Sequence, residues 1–394
     1  MLNYNQSVLL PSTQDSTSGP KPTRLPSLLK WAGGKEQELK YILPLIPFFN
    51  NYYEPFVGGG AVFFAIPSSQ KFINDKSPEL FTFYRMVAEQ NSAFFSVLDA
   101  LLHSWQCISN IVDRRAVDLI HLYTAYSRDE YSVAQMQNQL ITFISSHTEE
   151  FHQLCATLLD NTTEYFIQEI RRNLFSKTRR MKEIEHKKGQ LPEVDIVANI
   201  ESALKSAFYM HLRHLYNKID AYNIPPELAS AIFFFVRENA YASMFRYNSR
   251  GEFNVPYGGI SYNRKDLARK IAYMRSPAVR LHFEHTVIEN MDFEAFLCKH
   301  VAQANDFIFL DPPYDSEFST YAQNKFGKHD QERLADYLSD HCQAQFMLVI
   351  KNTPTILNLY AHKGLTIRAF DKKYLVSFQD RNNRDAEHLI ITNY

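Results

Sequence analysis

Two regimes of hydrophobic patterning alternate along the chain. From about position 28 to 75, and again from 286 onward, short apolar runs bounded by Gly, Pro and polar residues recur, as in the buried strands of an α/β sheet. Between about 78 and 228 the apolar residues fall at helical spacing, with few glycines and almost no strand signal, which predicts a helical insertion. The strand candidates begin at Tyr52-Tyr53 and continue with 72–75, 286–289, 307–310, 346–350, 365–370 and 389–392, about seven in all. Helices are expected at about 36–43 and 331–341. Asn248-Ser249-Arg250-Gly251 lies between β-prone flanks and predicts a hairpin near 245–259, with Pro256 and Gly258-Gly259 ending its return arm. Residues 1–26, rich in Ser, Thr, Gln and Pro, read as a mobile leader.

The chemistry enters where the run 307–310 stops at Asp311-Pro312-Pro313-Tyr314. Proline supplies no ladder donor and restricts the residue before it, so the strand ends there. In open α/β sheets, ligands bind beyond the carboxyl ends of strands. Asp311 and the Pro312 carbonyl can both accept from one planar amine, and Tyr314 offers a face for a ring. This suits an aromatic exocyclic amine such as adenine N6; taken alone, it equally suits an Asp capping a loop beside a Pro-Pro turn. Upstream, Glu54-Pro55-Phe56-Val57-Gly58-Gly59-Gly60 joins a strand to an apolar helical run. Consecutive glycines are entropically costly unless something approaches the backbone, which points to a cofactor loop. It lacks the G-x-G-x-x-G spacing of dinucleotide sites, so a nucleoside ligand without a pyrophosphate fits better. Asp75, ending the next strand, can bridge two ribose hydroxyls. Trp31-Ala32-Gly33-Gly34-Lys35 is a weaker signal, since a plain turn before a helix looks the same.

Composition narrows the class. A 394-residue chain that is 45% hydrophobic can build an α/β domain and a second, helical one. No apolar stretch reaches the roughly 18 residues that span a bilayer, and no secretory pattern opens the chain, so a cytoplasmic protein without a membrane partner is expected. Cys107, Cys155, Cys298 and Cys342 are scattered, which argues against a zinc site or a disulfide framework. The net charge of -1 does not advertise a polyanion partner, so any nucleic-acid surface must be local. Two segments qualify. From 237 to 280 there are nine Lys or Arg against three acids, interleaved with Tyr and Asn. From 171 to 188 a denser basic run reads either as a solvated helix face or as a phosphate-contacting one.

In this order, Lys30-Trp31-Ala32-Gly33-Gly34-Lys35, Glu54 to Gly60, Asn74-Asp75, the 245–258 hairpin and Asp311 to Tyr314 resemble the Dam-type (D12 class) N6-adenine DNA methyltransferases. The resemblance covers 28–84 and about 231–394. It implies a Rossmann-like, S-adenosylmethionine-dependent sheet from 27–84 and 281–394, interrupted by a helical DNA-recognition domain at 85–280. It further implies S-adenosylmethionine as cofactor, held by Trp31, Lys35, Phe56, Gly58, Gly60, Asp75, Asp292 and Asp311. Asp311, Pro312 and Tyr314 would carry the chemistry on a flipped adenine, and no metal is required. Double-stranded DNA would be read by Arg246, Tyr247, Asn248, Arg250 and Asn254, and a cognate restriction endonuclease is a candidate partner. Two departures stand out: a long segment between Asp75 and the hairpin, and the triplet Ala242-Ser243-Met244 before Phe245 where many relatives carry an Asn-Gly pair. Two other readings remain: a catalytically silent DNA-binding relative, and a protein-glutamine methyltransferase.

Overall fold

The computed structural model describes residues 24–31, 33–67, 70–155, 162–313, 326–361, 363–373 and 385–394. Most of the expected leader, Tyr314 and residues 374–384 lie outside the described residues. Strands β1 (Asn51–Glu54), β2 (Gln70–Asn74), β3 (Thr286–Glu289), β4 (Phe307–Leu310), β5 (Gln345–Lys351), β6 (Thr366–Lys373) and β7 (Asp385–Thr392) form one sheet. Its order is β3-β2-β1-β4-β5-β7-β6, parallel except for β7, which runs antiparallel to both of its neighbours.

The pleat sorts the apolar runs of this sheet into two cores. Phe307 and Phe309 of β4, Met347 and Val349 of β5 and Ile390 of β7 face one side; Ile308, Leu310, Phe346, Leu348, Ile350, Leu389 and Ile391 face the other. That is why β4 reads as an uninterrupted apolar word: both of its faces are covered. The second core is closed by α13 (Phe293–Lys299), α14 (Lys328–Asp336) and α15 (Pro354–Tyr360). The first continues without a break into the helices of the insertion.

Two short helices, α1 (Leu39–Ile42) and α2 (Ala61–Ala65), flank β1. The expected helix at 36–43 shortens at its start to α1 and continues as a 3-10 turn at Leu43–Leu45, where Pro44 has no N–H to give to an α-helical ladder. The helix expected at 331–341 starts earlier, at Lys328, and widens into a π turn at Tyr337–His341. After β2 come α3 (Pro78–Ala88), α4 (Ser92–Arg114), α5 (Ala116–Ser127), α6 (Val133–Ser146), α7 (Thr148–Cys155), α8 (Thr163–Lys188), α9 (Glu193–Tyr216) and α10 (Pro226–Asn239). Local signals set several starts: Ser77 and Asn91 accept from Leu80 N and Phe94 N, and Ser132 with Gln135 forms a capping box. α9 packs on α8, α4 and α10, while α8 packs on α9, α5, α6 and α7. Two further helices, α11 (Leu267–Met274) and α12 (Pro277–Phe283), lead back to β3.

The expected hairpin is narrower than a two-stranded ladder. One bridge, Tyr247↔Phe253, joins its arms, with Asn254 N donating to Arg246 O (3.0 Å) and Asn248 N to Glu252 O (2.9 Å) around the turn. A second bridge, Ala240↔Tyr257, ties its base to the end of α10. No helix among the described residues is long and apolar enough to cross a membrane.

Candidate active site

The strand order reverses at β1, which has β2 on one side and β4 on the other, so the loops leaving β1 and β4 diverge and open a cleft. Trp31, Lys35, Phe56, Gly58, Gly60, Asp75, Asp292, Asp311 and Pro312 all line it. Each expected cofactor residue therefore reaches one cavity, although their sequence positions are far apart.

The glycine loop is shaped by close approach. Gly58 and Gly60 have φ of +47° and +71°, and a Cβ on either would come within 2.9 Å of Trp31 Cδ1 or Tyr84 Oη. A Cβ on Gly59 would meet Trp31 Cβ at 2.9 Å, so Trp31 lies directly on this loop. Asn74 holds the rims together: its Nδ2 donates to Pro55 O and Met291 O, both at 3.0 Å, and its Oδ1 accepts from Met291 N. One buried amide thereby staples the loops after β1, β2 and β3.

Three carboxyls meet in the cleft. Asp311 Oδ1 lies 2.5 Å from the buried Lys35 Nζ, which also donates to Gly33 O (3.0 Å). Asp75 accepts from Gly58 N (3.0 Å) and Ser77 N (2.9 Å), one donor to each oxygen. Burial outweighs these donors and pushes its carboxyl up to about 6. Glu54, at the end of β1, is buried and accepts from Tyr52 Oη at 2.7 Å. Burial, with the nearby Asp311 and Asp75, holds Glu54 well above the usual carboxylate range despite the Tyr52 hydrogen bond. On the rim, Asp292 caps α13 through Glu294 N (3.1 Å) and accepts from Arg333 Nη2 (2.6 Å). Burial opposes ionisation there, but the Arg333 hydrogen bond and charge prevail and lower the Asp292 carboxyl.

A roof of aromatic rings crosses from the insertion. Phe245 lines the cleft and meets the edge of Trp31, with centroids 4.5 Å apart at 70°. Behind it, the buried Arg237 of α10 places its guanidinium carbon 3.2 Å from the Phe245 ring centroid and donates to Met244 O (2.9 Å) and Ser243 O (3.2 Å). Burial brings this guanidinium down to about 10. Its neighbour Glu238 accepts from Lys270 Nζ (2.5 Å), so α10 delivers two charged side chains to the base of the hairpin. On β4, Gln331 of α14 donates to Pro313 O (2.9 Å) and holds the Pro-Pro turn.

A family model of D12 class N6 adenine-specific DNA methyltransferases matches residues 31–111 and 117–375. The chain belongs to this family. Among its relatives, the Type II methyltransferase M1.LlaDCHI of Lactococcus lactis subsp. cremoris is 23% identical over 93% of this chain and 94% of its own length. The Type II methyltransferase M.MjaIII of Methanocaldococcus jannaschii is 23% identical over 93% and 98%. The Type II methyltransferase M.CviBI of Paramecium bursaria Chlorella virus NC1A is 31% identical over 41% of this chain, and that match spans 60% of the viral enzyme.

The D12 hairpin residues separate into two sets. Arg246 and Arg250 are exposed, Arg246 laid along Asn254 with its Nε 2.8 Å from Asn254 Oδ1. Tyr247 instead packs on Phe253 and lies 3.4 Å from Tyr216 Oη, and Asn248 builds the turn by accepting from Arg250 N and Glu252 N, both at 3.0 Å. The positive excess of this region is smaller than it reads: Arg237, Lys265, Lys270 and Arg275 are engaged by Phe245, Glu238 and Asp99. Glu54, Asn74 and Phe245 stood within motifs read from the sequence but were given no role of their own, and Arg237 and Gln331 were assigned none. Glu54 carried a usable signal, an acid at a strand end before a Pro, the same logic that picks out Asp311. Arg237 carried none, since a basic residue closing an amphipathic helix reads as solvated.

Proposed function

We propose that this chain transfers a methyl group from S-adenosylmethionine to N6 of an adenine turned out of duplex DNA. The observation that carries this is the meeting of the Asp311-Pro312 strand end with the glycine loop and Asp75 in one cleft. The cleft suits the cofactor in charge and shape. Among the described residues, Asp75, Asp292, Asp311 and Asp330 line the cleft against Lys35 and Lys76, with Glu54 beside them, an acidic excess that favours a cationic ligand, and the glycines leave room where a Cβ would clash. Asp75 would accept from the ribose hydroxyls, Asp292 would face the adenine edge, and Trp31, Lys35, Phe56, Gly58 and Gly60 would enclose the rest.

When bound, the sulfonium supplies an already activated methyl group, so the residues here position rather than activate. Lys35 fixes Asp311 by its ion pair, and Gln331 fixes the turn that presents the Pro312 carbonyl. The two acceptors would hold the exocyclic amine and draw its lone pair away from the ring; Tyr314 would wall the pocket. Extruding a base costs a few kcal/mol of stacking, which contacts elsewhere must offset. Residues 85–280 would form the recognition unit set on the catalytic sheet. Arg246, Arg250 and Asn254 would face the duplex, with Tyr247 and Asn248 shaping the loop that carries them. Relatives carry Type II names, and pairing with a cognate restriction endonuclease fits that context.

The test is direct: incubate the protein with labelled S-adenosylmethionine and duplex DNA, then map modified adenines by sequencing. Wild type should label adenine at one recurring sequence, and Asp311→Ala should lose transfer while retaining most of its DNA affinity. Labelling of protein glutamine, or no labelling, would reject this reading.

A further inference from the structure

Among the described residues, the return arm of the hairpin is paired only along one edge, by its own short partner and the Ala240 bridge, and no strand lies on the other edge. Its side chains alternate, with Phe253, Val255 and Tyr257 buried and Asn254 and Pro256 turned outward. Carbonyls on the buried side need donors, because an unpaired buried carbonyl costs as much as a lost hydrogen bond. One helix supplies them. Along α9, residues spaced by four, Lys205, Tyr209, Arg213 and the C-cap Asn217, follow the ridge that slants roughly 26° across a helix surface. Asn217 makes a two-way pair with Phe253, its Nδ2 donating to the carbonyl (2.9 Å) and its Oδ1 accepting from the N–H (2.8 Å). Tyr209 Oη and Arg213 Nη1 both donate to Val255 O, at 3.0 and 2.9 Å. Further along, Lys205 Nζ donates to Asn263 O and pairs with Glu201 at 2.8 Å.

We propose that this ridge of α9 is the specificity-setting element of the insertion: Tyr209, Arg213 and Asn217 stand in for a neighbouring strand and thereby aim Arg246, Asn254 and Arg250 at the DNA. The inference rests on the DNA-methylation reading above and deepens it. Tyr209, Arg213 and Asn217 touch neither the cleft nor the outward face of the hairpin; they are positioning residues. The coupling is short and mechanical. Asn217 grips Phe253, the next residue Asn254 holds the Arg246 side chain on the opposite face, and Val255 anchors the arm one step later. Releasing the Val255 carbonyl lets the arm roll about its axis, and a side chain that reads a base edge must be placed to well within an ångström to discriminate.

The experiment compares variants on the wild-type enzyme's own mapped site. Tyr209→Phe with Arg213→Ala removes both donors to Val255, Arg213→Lys keeps one, and Arg250→Ala serves as a direct-contact comparator. For each, kcat/KM is measured on the mapped duplex and on duplexes with one base pair changed, beside the affinity for S-adenosylhomocysteine. The double variant should lose roughly tenfold or more of its discrimination, the scale of one base contact, while product affinity stays within about twofold. Arg213→Lys should recover most of that loss. Should the double variant fail to bind S-adenosylhomocysteine, Asn217→Ala, which frees Phe253 and leaves both Val255 donors in place, decides by the same ratio. Discrimination unchanged in folded variants overturns the proposal and leaves the ridge as scaffold. Absence of methylation by wild type rejects the proposed function and this inference together, whereas methylation with unaltered discrimination rejects the inference alone.

Discussion

At the scale of single residues, Asp75 is the group whose protonation the cleft controls. Its folded-state carboxyl sits at about 6 against an ordinary value of 3.8, so as pH rises the unfolded chain releases this proton first. Between those values the folded state binds more protons, and stability without ligand falls as pH increases. A hydroxyl that donates to the ionised carboxylate reverses the preference. Affinity for S-adenosylhomocysteine should therefore climb with pH, by up to roughly tenfold per unit below about 6, and flatten above it. Titration calorimetry across that range checks this, and Asp75→Asn should remove the inflection; a flat wild-type profile would take Asp75 off the ribose. A second residue-scale tension lies in Ala242 and Ser243, whose φ values of 51° and 53° place both in the left-handed region. Arg237 holds this turn by the carbonyls of Ser243 and Met244. Ser243→Gly and Ala242→Asn keep those hydrogen bonds and should each stabilise by about 0.5–1 kcal/mol. Denaturant unfolding measures it, and a loss of stability would mean that the Ser243 side chain contributes more than its backbone strain costs.

At the scale of elements, α8 and the hairpin make different claims on DNA. The basic run of α8 is largely occupied with its own helix bundle. Lys182 donates to Tyr126 O (2.7 Å) and pairs with Asp129 (2.5 Å), burial lowers Lys177, and Arg179 and Arg180 both face Glu183. Exposed pairs of this kind are worth little, and the helix packs on α9, α5, α6 and α7. Replacing Arg179 and Arg180 by Gln should leave the salt dependence of DNA binding unchanged. A slope lower by about 0.9 per residue would instead put this face on phosphates. The solvated alternative for 171–188 is thus the one that the packing favours, whereas within 237–280 Arg246, Arg250, Arg264, Arg269 and Arg280 stay exposed.

At the scale of the whole molecule, the insertion and the sheet share a core. Apolar residues of β4 and β5 belong to the same buried cluster as α3, α4, α9 and α10, and α3 runs through the 84/85 boundary expected between the two units. Domains that melt separately have their own cores and modest interfaces. Calorimetry should accordingly show a single unfolding transition for the protein, and two resolved transitions would establish an independently folded insertion.

Strand positions, the glycine loop, Asp75 and Asp311 were legible in the sequence because each rests on local physics: an apolar run long enough for one strand, a φ open mainly to glycine, a proline that ends a ladder. The helical character of 78–228 was legible for the same reason, as a period. Local rules failed where neighbours intervened. The first turn of the helix read at 36–43 did not form, and four of the nine basic residues between 237 and 280 found partners inside the fold. Tertiary structure alone decided that nine scattered residues line one cleft, that Glu54 and Phe245 join them, and that a ridge of α9 stands where the return arm would otherwise need a strand. Such facts depend on which side chains meet across long chain separations, and no property of the separate segments encodes that meeting.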